Sequence, residues 1–181
     1  MRILLIGNFA PDRQESMLRF ANQLAGGLRA QDHEVTTLSP EPRLVRLLPR
    51  YRYGGPAKFV GYLDKFVLFP RSVRRRLRRD RAPDIVHIVD HANAVYGPVF
   101  TGRPLVATCH DLLQIRAARG EFAEHEVSSL GRRYQSWILD HIGRLPHVVV
   151  PSEQTAPDLR RLTRLLPDRI PVIPNGLKFP S

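Results

Sequence analysis

Several features are scarce in this sequence, and each scarcity excludes a class of protein. One cysteine, Cys109, occurs among 181 residues, so no disulfide can form within the chain, and a reducing compartment suits it. No apolar run approaches the roughly 20 residues that a membrane-spanning helix needs. The apolar run within Met1–Gly7 is too short for a signal peptide. We therefore expect a cytoplasmic protein.

Acidic residues are also scarce relative to basic ones. The 17 Asp and Glu residues face 28 Lys and Arg residues, which gives a net charge of +11. Seven of the eleven residues from Arg71 to Arg81 are arginine, and so many like charges favour an anionic partner. Five of them form the candidate anionic-binding surface: Arg74, Arg75, Arg76, Arg78 and Arg79. With the apolar segment before them, they predict peripheral attachment to the inner face of a membrane. For that apolar helix itself, packing on the sheet is an equally good interpretation.

The motifs of several cofactor sites are missing. The first aliphatic run is followed by Gly7-Asn8-Phe9-Ala10-Pro11, which is not the glycine pattern of dinucleotide-binding proteins, and no P-loop occurs. The chain has neither an H-E-x-x-H nor a C-x-x-C motif. We therefore expect no bound cofactor and no metal.

What is present is an alternation of short aliphatic runs and segments with helical spacing. The runs predict strands over residues 2–7, 34–38, 84–89, 105–109, 147–150 and 171–173. Arg43–Leu48 is a candidate for a further edge strand. Asp12 and Glu15 resemble a capping box that opens the first helix, and Pro70 is expected to end the helix that contains Phe59 and Phe66.

Strands that alternate with helices predict an α/β fold with a Rossmann-like, doubly wound parallel sheet. Such sheets bind ligands at the carboxyl ends of their strands, where His110 and Asp111 follow one strand and Asp90 and His91 follow another. An imidazole there can hydrogen-bond a hydroxyl or accept its proton. Alternatively, these residues only cap neighbouring backbone. Ser152 is expected to cap the next helix.

Five segments, in order, resemble glycosyltransferase family four, whose retaining enzymes have two Rossmann-like domains in the GT-B arrangement. The first is the βαβ unit over residues 1–38. The other four are Asp84-Ile85-Val86-His87, Val106-Ala107-Thr108-Cys109-His110-Asp111, Val148-Val149-Val150-Pro151-Ser152-Glu153 and Val172-Ile173-Pro174-Asn175-Gly176.

The resemblance implies that residues 1–181 are the N-terminal, acceptor-side domain of a hexosyltransferase-type enzyme. It also implies that a nucleotide sugar is the substrate of the full-length protein and that the C-terminal donor-binding domain is absent. The isolated chain is then expected to be inactive. By resemblance, His110 is catalytic and lies beside the transferred sugar, and Asn175 and Gly176 lead into the interdomain linker.

The same resemblance places a donor-diphosphate loop after the first strand, with Asn8, Phe9, Glu15 and Ser16. Here the sequence departs from the family, because Glu15-Ser16 stands where Gly-Gly is usual. A carboxylate at that place would repel a phosphate unless it points away. A Gln-Glu-Ser-Met run at this position resembles a subset of the family.

A second interpretation is a non-catalytic, basic Rossmann-like module that binds anionic lipid or nucleic acid. It accounts for the arginines but not for a histidine at a strand end or for the Pro-Asn-Gly sequence. We therefore favour the enzyme, whose partners are the C-terminal domain and an acceptor, and do not expect nucleic acid as a partner.

Overall fold

The fold is seen in a computed structural model that describes residues 1–48, 55, 57–124 and 126–176. Its strands are β1 (Arg2–Ile6), β2 (Glu34–Leu38), β3 (Ile85–Ile88), β4 (Leu105–Thr108) and β5 (Val148–Val149). Its α-helices are α1 (Glu15–Arg29), α2 (Ala57–Leu63), α3 (Phe69–Arg79), α4 (Leu113–Ala118), α5 (Ser129–Ile142) and α6 (Thr155–Thr163). Tighter 3₁₀ turns cover Ala10–Asp12, Val45–Leu47, His91–Phe100 and Pro167–Arg169.

The strands form one sheet in the order β2-β1-β3-β4-β5. β1 pairs in parallel with β2 and β3, with Ile3 opposite Val35 and Ile85, and β4 pairs in parallel with β5. The predicted last strand is reduced to a single parallel bridge between Val150 and Val172. The predicted doubly wound α/β class is confirmed.

The chain divides into two compact units. The first comprises Met1–Val89 and Pro98–Pro104, and the second comprises Asp90–Gly97 and the chain from Leu105 onwards. In the first unit, α1 packs two small side chains, Ala21 and Ala25, against Ile3 and Leu5 of β1. The larger side chains of Phe20, Leu24 and Leu28 pack around them and are partly buried, so α1 has one apolar face toward the sheet.

The predicted edge strand over Arg43–Leu48 is wrong, because this segment contains the 3₁₀ turn Val45–Leu47. The carboxylate of Asp64 accepts the backbone N–H of Leu44 at 2.9 Å and that of Val45 at 3.2 Å. Those N–H groups are therefore not available to a neighbouring strand.

The helix that was expected to end at Pro70 instead continues to Arg79. A wide π-helical turn, Asp64–Leu68, joins α2 to α3, and Pro70 lies in the first turn of α3. A proline in a helix lacks an N–H and crowds the carbonyl group four residues earlier. Here that carbonyl belongs to the wider turn, which accommodates the ring.

The predicted capping box is also wrong. α1 begins at Glu15 after Gln14, with no side-chain cap, and Asp12 lies in the preceding 3₁₀ turn. Its carboxylate is directed to Lys65 instead, at 2.6 Å.

In the second unit, α5 contacts both α4 and α6. Only part of α5 is buried: Ile138 and Ile142 are enclosed, whereas Leu130 and Trp137 are exposed. Ser128 caps α5 by accepting the N–H of Gly131 at 3.1 Å.

Candidate functional site

His110 lies directly after β4, in the second unit, and is half-buried. Two hydrogen bonds fix its backbone. The preceding N–H, of Cys109, donates to the carbonyl of Val149 at 2.8 Å, which extends the β4–β5 ladder by one residue. The His110 carbonyl accepts the hydroxyl of Thr155 at 3.4 Å. The imidazole therefore starts from a backbone held between a strand and the beginning of α6.

Thr155 is itself held by Ser152, the residue predicted to cap this helix. The Ser152 hydroxyl accepts the N–H of Thr155 at 3.3 Å and lies 3.0 Å from its hydroxyl. The N-cap residue of α6 is Gln154, which makes no side-chain cap hydrogen bond, so the predicted N-cap at Ser152 is wrong. The Ser152 hydroxyl nevertheless accepts the N–H of Thr155, the first residue of the helix. The chain of contacts runs from Ser152 through Thr155 to the backbone of His110.

Asp111 supports the other side of the same turn. One of its carboxylate oxygens accepts the N–H of Leu113, the first residue of α4, at 3.1 Å. The thiol of Cys109 donates to its carbonyl at 3.4 Å. The exposed Asp111 side chain therefore organises the start of α4, whereas the His110 side chain beside it is half-buried.

Asp90 and His91 begin the second unit. The buried carboxylate of Asp90 accepts the N–H of Ala92 at 3.0 Å, and its carbonyl accepts the N–H of Asn93 at 2.9 Å. Asp90 thus opens the 3₁₀ turn His91–Phe100. Nδ1 of His91 lies 3.2 Å from a carboxylate oxygen of Asp90, without an aligned hydrogen bond.

These carboxylates also affect the cysteine beneath the site. Cys109 is fully buried. Burial, with the negative charges of Asp111 and Asp90 as further causes, raises the pKa of its thiol well above the ordinary value. Cys109 is therefore a small buried apolar group and not a nucleophile.

The second group of candidate residues lies in the first unit, on the loop between β1 and α1. Asn8 and Phe9 are almost fully buried, whereas Glu15 and Ser16 are exposed at the start of α1. The Asn8 side-chain amide donates to the side-chain carbonyl of Gln14, so the two ends of the loop are tied together. What this loop presents to a ligand is therefore the first turn of α1, and not Asn8 or Phe9.

The residues that hold this loop were missed in the sequence analysis. Lys65 is 8 % exposed and pairs with Asp12, and its ammonium lies 5.4 Å to 6.0 Å from the ring centres of Phe9, Tyr62 and Phe66. Burial, followed by the Asp12 carboxylate, raises the pKa of Tyr62. The available signal was a pair of adjacent charges, Asp64-Lys65, inside an otherwise aromatic and aliphatic segment.

The arginines of α3 form a continuous exposed surface. Five of them line one shallow depression: Arg71, Arg74, Arg75, Arg78 and Arg79. None of these five pairs with a carboxylate among the residues that the structure describes. Arg76, which was predicted as a member, instead pairs with Asp80 at 2.8 Å. On the opposite face, Phe69 and Val73 are buried.

Other expectations concern single features. Asn175 and Gly176 lie exposed at the end of the described chain. Within the described ranges, no three His, Cys, Asp or Glu side chains are grouped to hold a metal ion. No described helix has the length and apolar character required to cross a bilayer.

Comparison with known proteins shows the fold and the family of this chain. No curated protein sequence matches it. The crystal structure of TcCGT1 in complex with UDP is similar to 97 % of this chain with a TM-score of 0.62, at 9 % sequence identity. That likeness shows the fold, and the chain spans 50 % of the length of that structure. The sequence model of the family Glycosyltransferase Family 4 matches residues 17–178. Since this match covers nearly the whole sequence, the chain belongs to glycosyltransferase family 4.

Proposed function

We propose that this chain is the acceptor-binding half of a glycosyltransferase of the hexosyltransferase type. The full-length enzyme transfers a sugar from a nucleotide-sugar donor to a glycan, lipid or small-molecule acceptor. The observation that carries the proposal is His110, a half-buried imidazole at the carboxyl end of β4 whose backbone is fixed by Thr155. Family membership supports the reaction class.

His110 is assigned the catalytic role. A positioned imidazole can orient a hydroxyl of the acceptor or the donor and stabilise charge as the glycosidic bond breaks. Asp90 and Asp111 each accept a backbone N–H, so we assign both carboxylates to holding the turns that carry His91 and His110. His91 is the second imidazole proposed to contact the acceptor.

The loop between β1 and α1 is assigned to the donor diphosphate. The first N–H groups of a helix have no partner within the helix and favour an anion. Glu15 and Ser16 occupy that turn, and the exposed Glu15 carboxylate must turn to solvent for a diphosphate to approach. Asn175 and Gly176 are proposed to lead into the donor-binding domain.

The proposal is tested by a transfer assay on the protein that includes the donor-binding domain. Purified enzyme is incubated with a panel of nucleotide sugars and candidate acceptors, and the products are followed by mass spectrometry. We expect one donor to be consumed in an acceptor-dependent manner. Release of free sugar with every acceptor, at the rate seen without any, would contradict the assignment of an acceptor-binding half.

The exposed face of α3 favours a second, compatible role as an attachment to anionic lipid. We propose that its five arginines, Arg71, Arg74, Arg75, Arg78 and Arg79, contact lipid head groups, so that the enzyme works at the inner face of the membrane. The supporting observation is that no described carboxylate pairs with them. A basic residue near an anionic surface contributes about 1 kcal/mol to attachment.

A further inference from the structure

The π-helical turn between α2 and α3 carries two adjacent charged residues that are both buried. Asp64 is 1 % exposed and Lys65 is 8 % exposed. In a regular α-helix, neighbouring side chains point about 100° apart, since each turn holds about 3.6 residues. Both of these nevertheless point inward. Turns of this type occur mostly as single insertions in α-helices, often at functional sites.

Each of the two residues holds a different loop of the first unit. Asp64 accepts the backbone N–H groups of Leu44 and Val45, in the segment that follows β2. Lys65 donates to the carboxylate of Asp12 at 2.6 Å, in the segment that follows β1. One turn of helix thus fixes the chain beyond the carboxyl ends of two neighbouring parallel strands.

The surroundings of Lys65 suit a compact cation. Its ammonium is enclosed by the rings of Phe9, Tyr62 and Phe66, and aromatic faces attract a cation most strongly where water is excluded. Lys65 is one of only three lysines among the 28 basic residues. The planar guanidinium of arginine, which the sequence uses elsewhere, is broader than an ammonium. The compact shape of the ammonium therefore favours lysine over arginine here.

We propose that Lys65 is a positioning residue for donor binding. Together with Asp64 it clamps the loops after β1 and β2, so that the start of α1 meets the diphosphate in one conformation. This rests on the proposed function. Lys65 also neutralises Asp12, whose carboxylate would otherwise add to the repulsion that Glu15 exerts on a diphosphate. A loop already held in its binding conformation loses less entropy when the ligand binds.

The clamp can be tested without any substrate by amide hydrogen exchange. The N–H groups of residues 12 and 13 close the turn by donating to Phe9 and Ala10, so their exchange reports on the loop after β1. The N–H groups of Leu44 and Val45 report on the contact with Asp64. Lys65→Met should speed exchange at 12 and 13 by about tenfold or more and leave 44 and 45 unchanged, because local opening follows local contacts. Asp64→Ala should do the reverse.

The positioning role is tested by kinetics on the enzyme with its donor-binding domain. Lys65→Met should raise KM for the nucleotide sugar by about tenfold while KM for the acceptor stays within about twofold, because only the donor loop is loosened. Since Lys65→Met removes the positive charge beside the Asp12 carboxylate, the double variant Asp12→Asn/Lys65→Met guards against misfolding by removing both charges. It should show the same fast exchange at residues 12 and 13.

Two results would overturn the inference, and a third would also overturn the proposed function. Unchanged exchange at residues 12 and 13 in both variants would exclude the clamp. Fast exchange with an unchanged donor KM would exclude the positioning role. A wild-type enzyme without any transfer activity would overturn the proposed function as well, whereas the exchange data would still report whether the clamp exists.

Discussion

At the scale of single residues, the polar side chains of the turns at Asp90, Asp111 and Ser152 hold backbone. Asp90, Asp111 and Ser152 all accept backbone N–H groups. The two aspartates match the interpretation of such residues as caps of neighbouring backbone, which the sequence left open. The half-buried imidazole of His110 is the group of this turn to which the proposed function assigns the chemistry.

The thiol beneath the site provides a first prediction. Cys109 is fully buried, and burial raises the pKa of its thiol, so it should not react with an alkylating or disulfide reagent in the native protein. Thiol titration with an aromatic disulfide should find no reactive cysteine at pH 8 and one cysteine in denaturant. Rapid labelling of the native protein would mean that the turn around His110 is open.

At the scale of elements, α4 and α6 are joined by a network of ion pairs. Glu121 lies just beyond α4 and accepts hydrogen bonds from Arg161 of α6 at 2.8 Å and from Arg116 of α4 at 2.8 Å. Asp158 of α6 pairs with the same two arginines. These hydrogen bonds, first that of Arg161, lower the pKa of Glu121 to about 2.

The lowered pKa predicts a pH-dependent stability. A carboxyl group whose pKa is lower in the folded state stabilises the fold above its unfolded pKa of about 4.3, and this contribution is lost as pH falls through the folded pKa. Glu121→Gln should therefore lower Tm by a few degrees at pH 7, and the difference should shrink steadily as the pH falls from about 4.3 toward about 2. Glu124→Gln, at an exposed residue outside the network, is the control. A Tm difference that does not change with pH would contradict the assignment.

The exposed face of α3 yields the second prediction at this scale. Binding to anionic vesicles should weaken steeply with salt, since attraction between exposed charges is screened over about 8 Å at physiological ionic strength. Replacement by glutamine of the five arginines of the face should abolish sedimentation with vesicles. Those five are Arg71, Arg74, Arg75, Arg78 and Arg79.

The control variant removes the same charge from scattered exposed positions. In this control, glutamine replaces five other exposed arginines: Arg119, Arg133, Arg160, Arg164 and Arg169. If attachment depends on the face of α3, this variant should retain most of the binding. Equal loss in both variants would mean that net charge alone is responsible, and equal retention would exclude the face as an attachment.

At the scale of the whole molecule, the spacing of apolar residues and the order of the segments predicted the fold better than individual polar residues predicted caps and edge strands. The aliphatic runs predicted all five strands of the described part of the chain, because buried parallel strands leave an uninterrupted apolar signature. The predicted edge strand and the predicted capping box were wrong because a residue distant in the sequence determines the local structure. Asp64 takes the N–H groups that an edge strand needs, and Lys65 takes the carboxylate that a capping box needs. Sequence spacing alone does not reveal such pairings across 19 and 53 residues.

A further prediction at this scale concerns the transfer activity of the 181-residue chain by itself. In the proposed reaction, His110 and the loop between β1 and α1 act together with a separate donor-binding domain, so the 181-residue chain alone should not transfer sugar from any nucleotide sugar. The measurement compares product formation by this chain with that of the protein that includes a donor-binding domain. Transfer by the chain alone above the background of donor hydrolysis would contradict the half-enzyme assignment.

The central claim, that His110 serves glycosyl transfer, is tested most directly by paired turnover and melting measurements on His110→Ala in the full-length enzyme. Loss of a positioned acid–base or electrostatic group typically costs about 10²-fold or more in kcat. We expect a loss of that size with Tm changed by no more than a few degrees. His147→Ala, at an exposed histidine of the same unit, should leave both unchanged. Unchanged turnover in His110→Ala with a Tm lowered by several degrees would contradict the account.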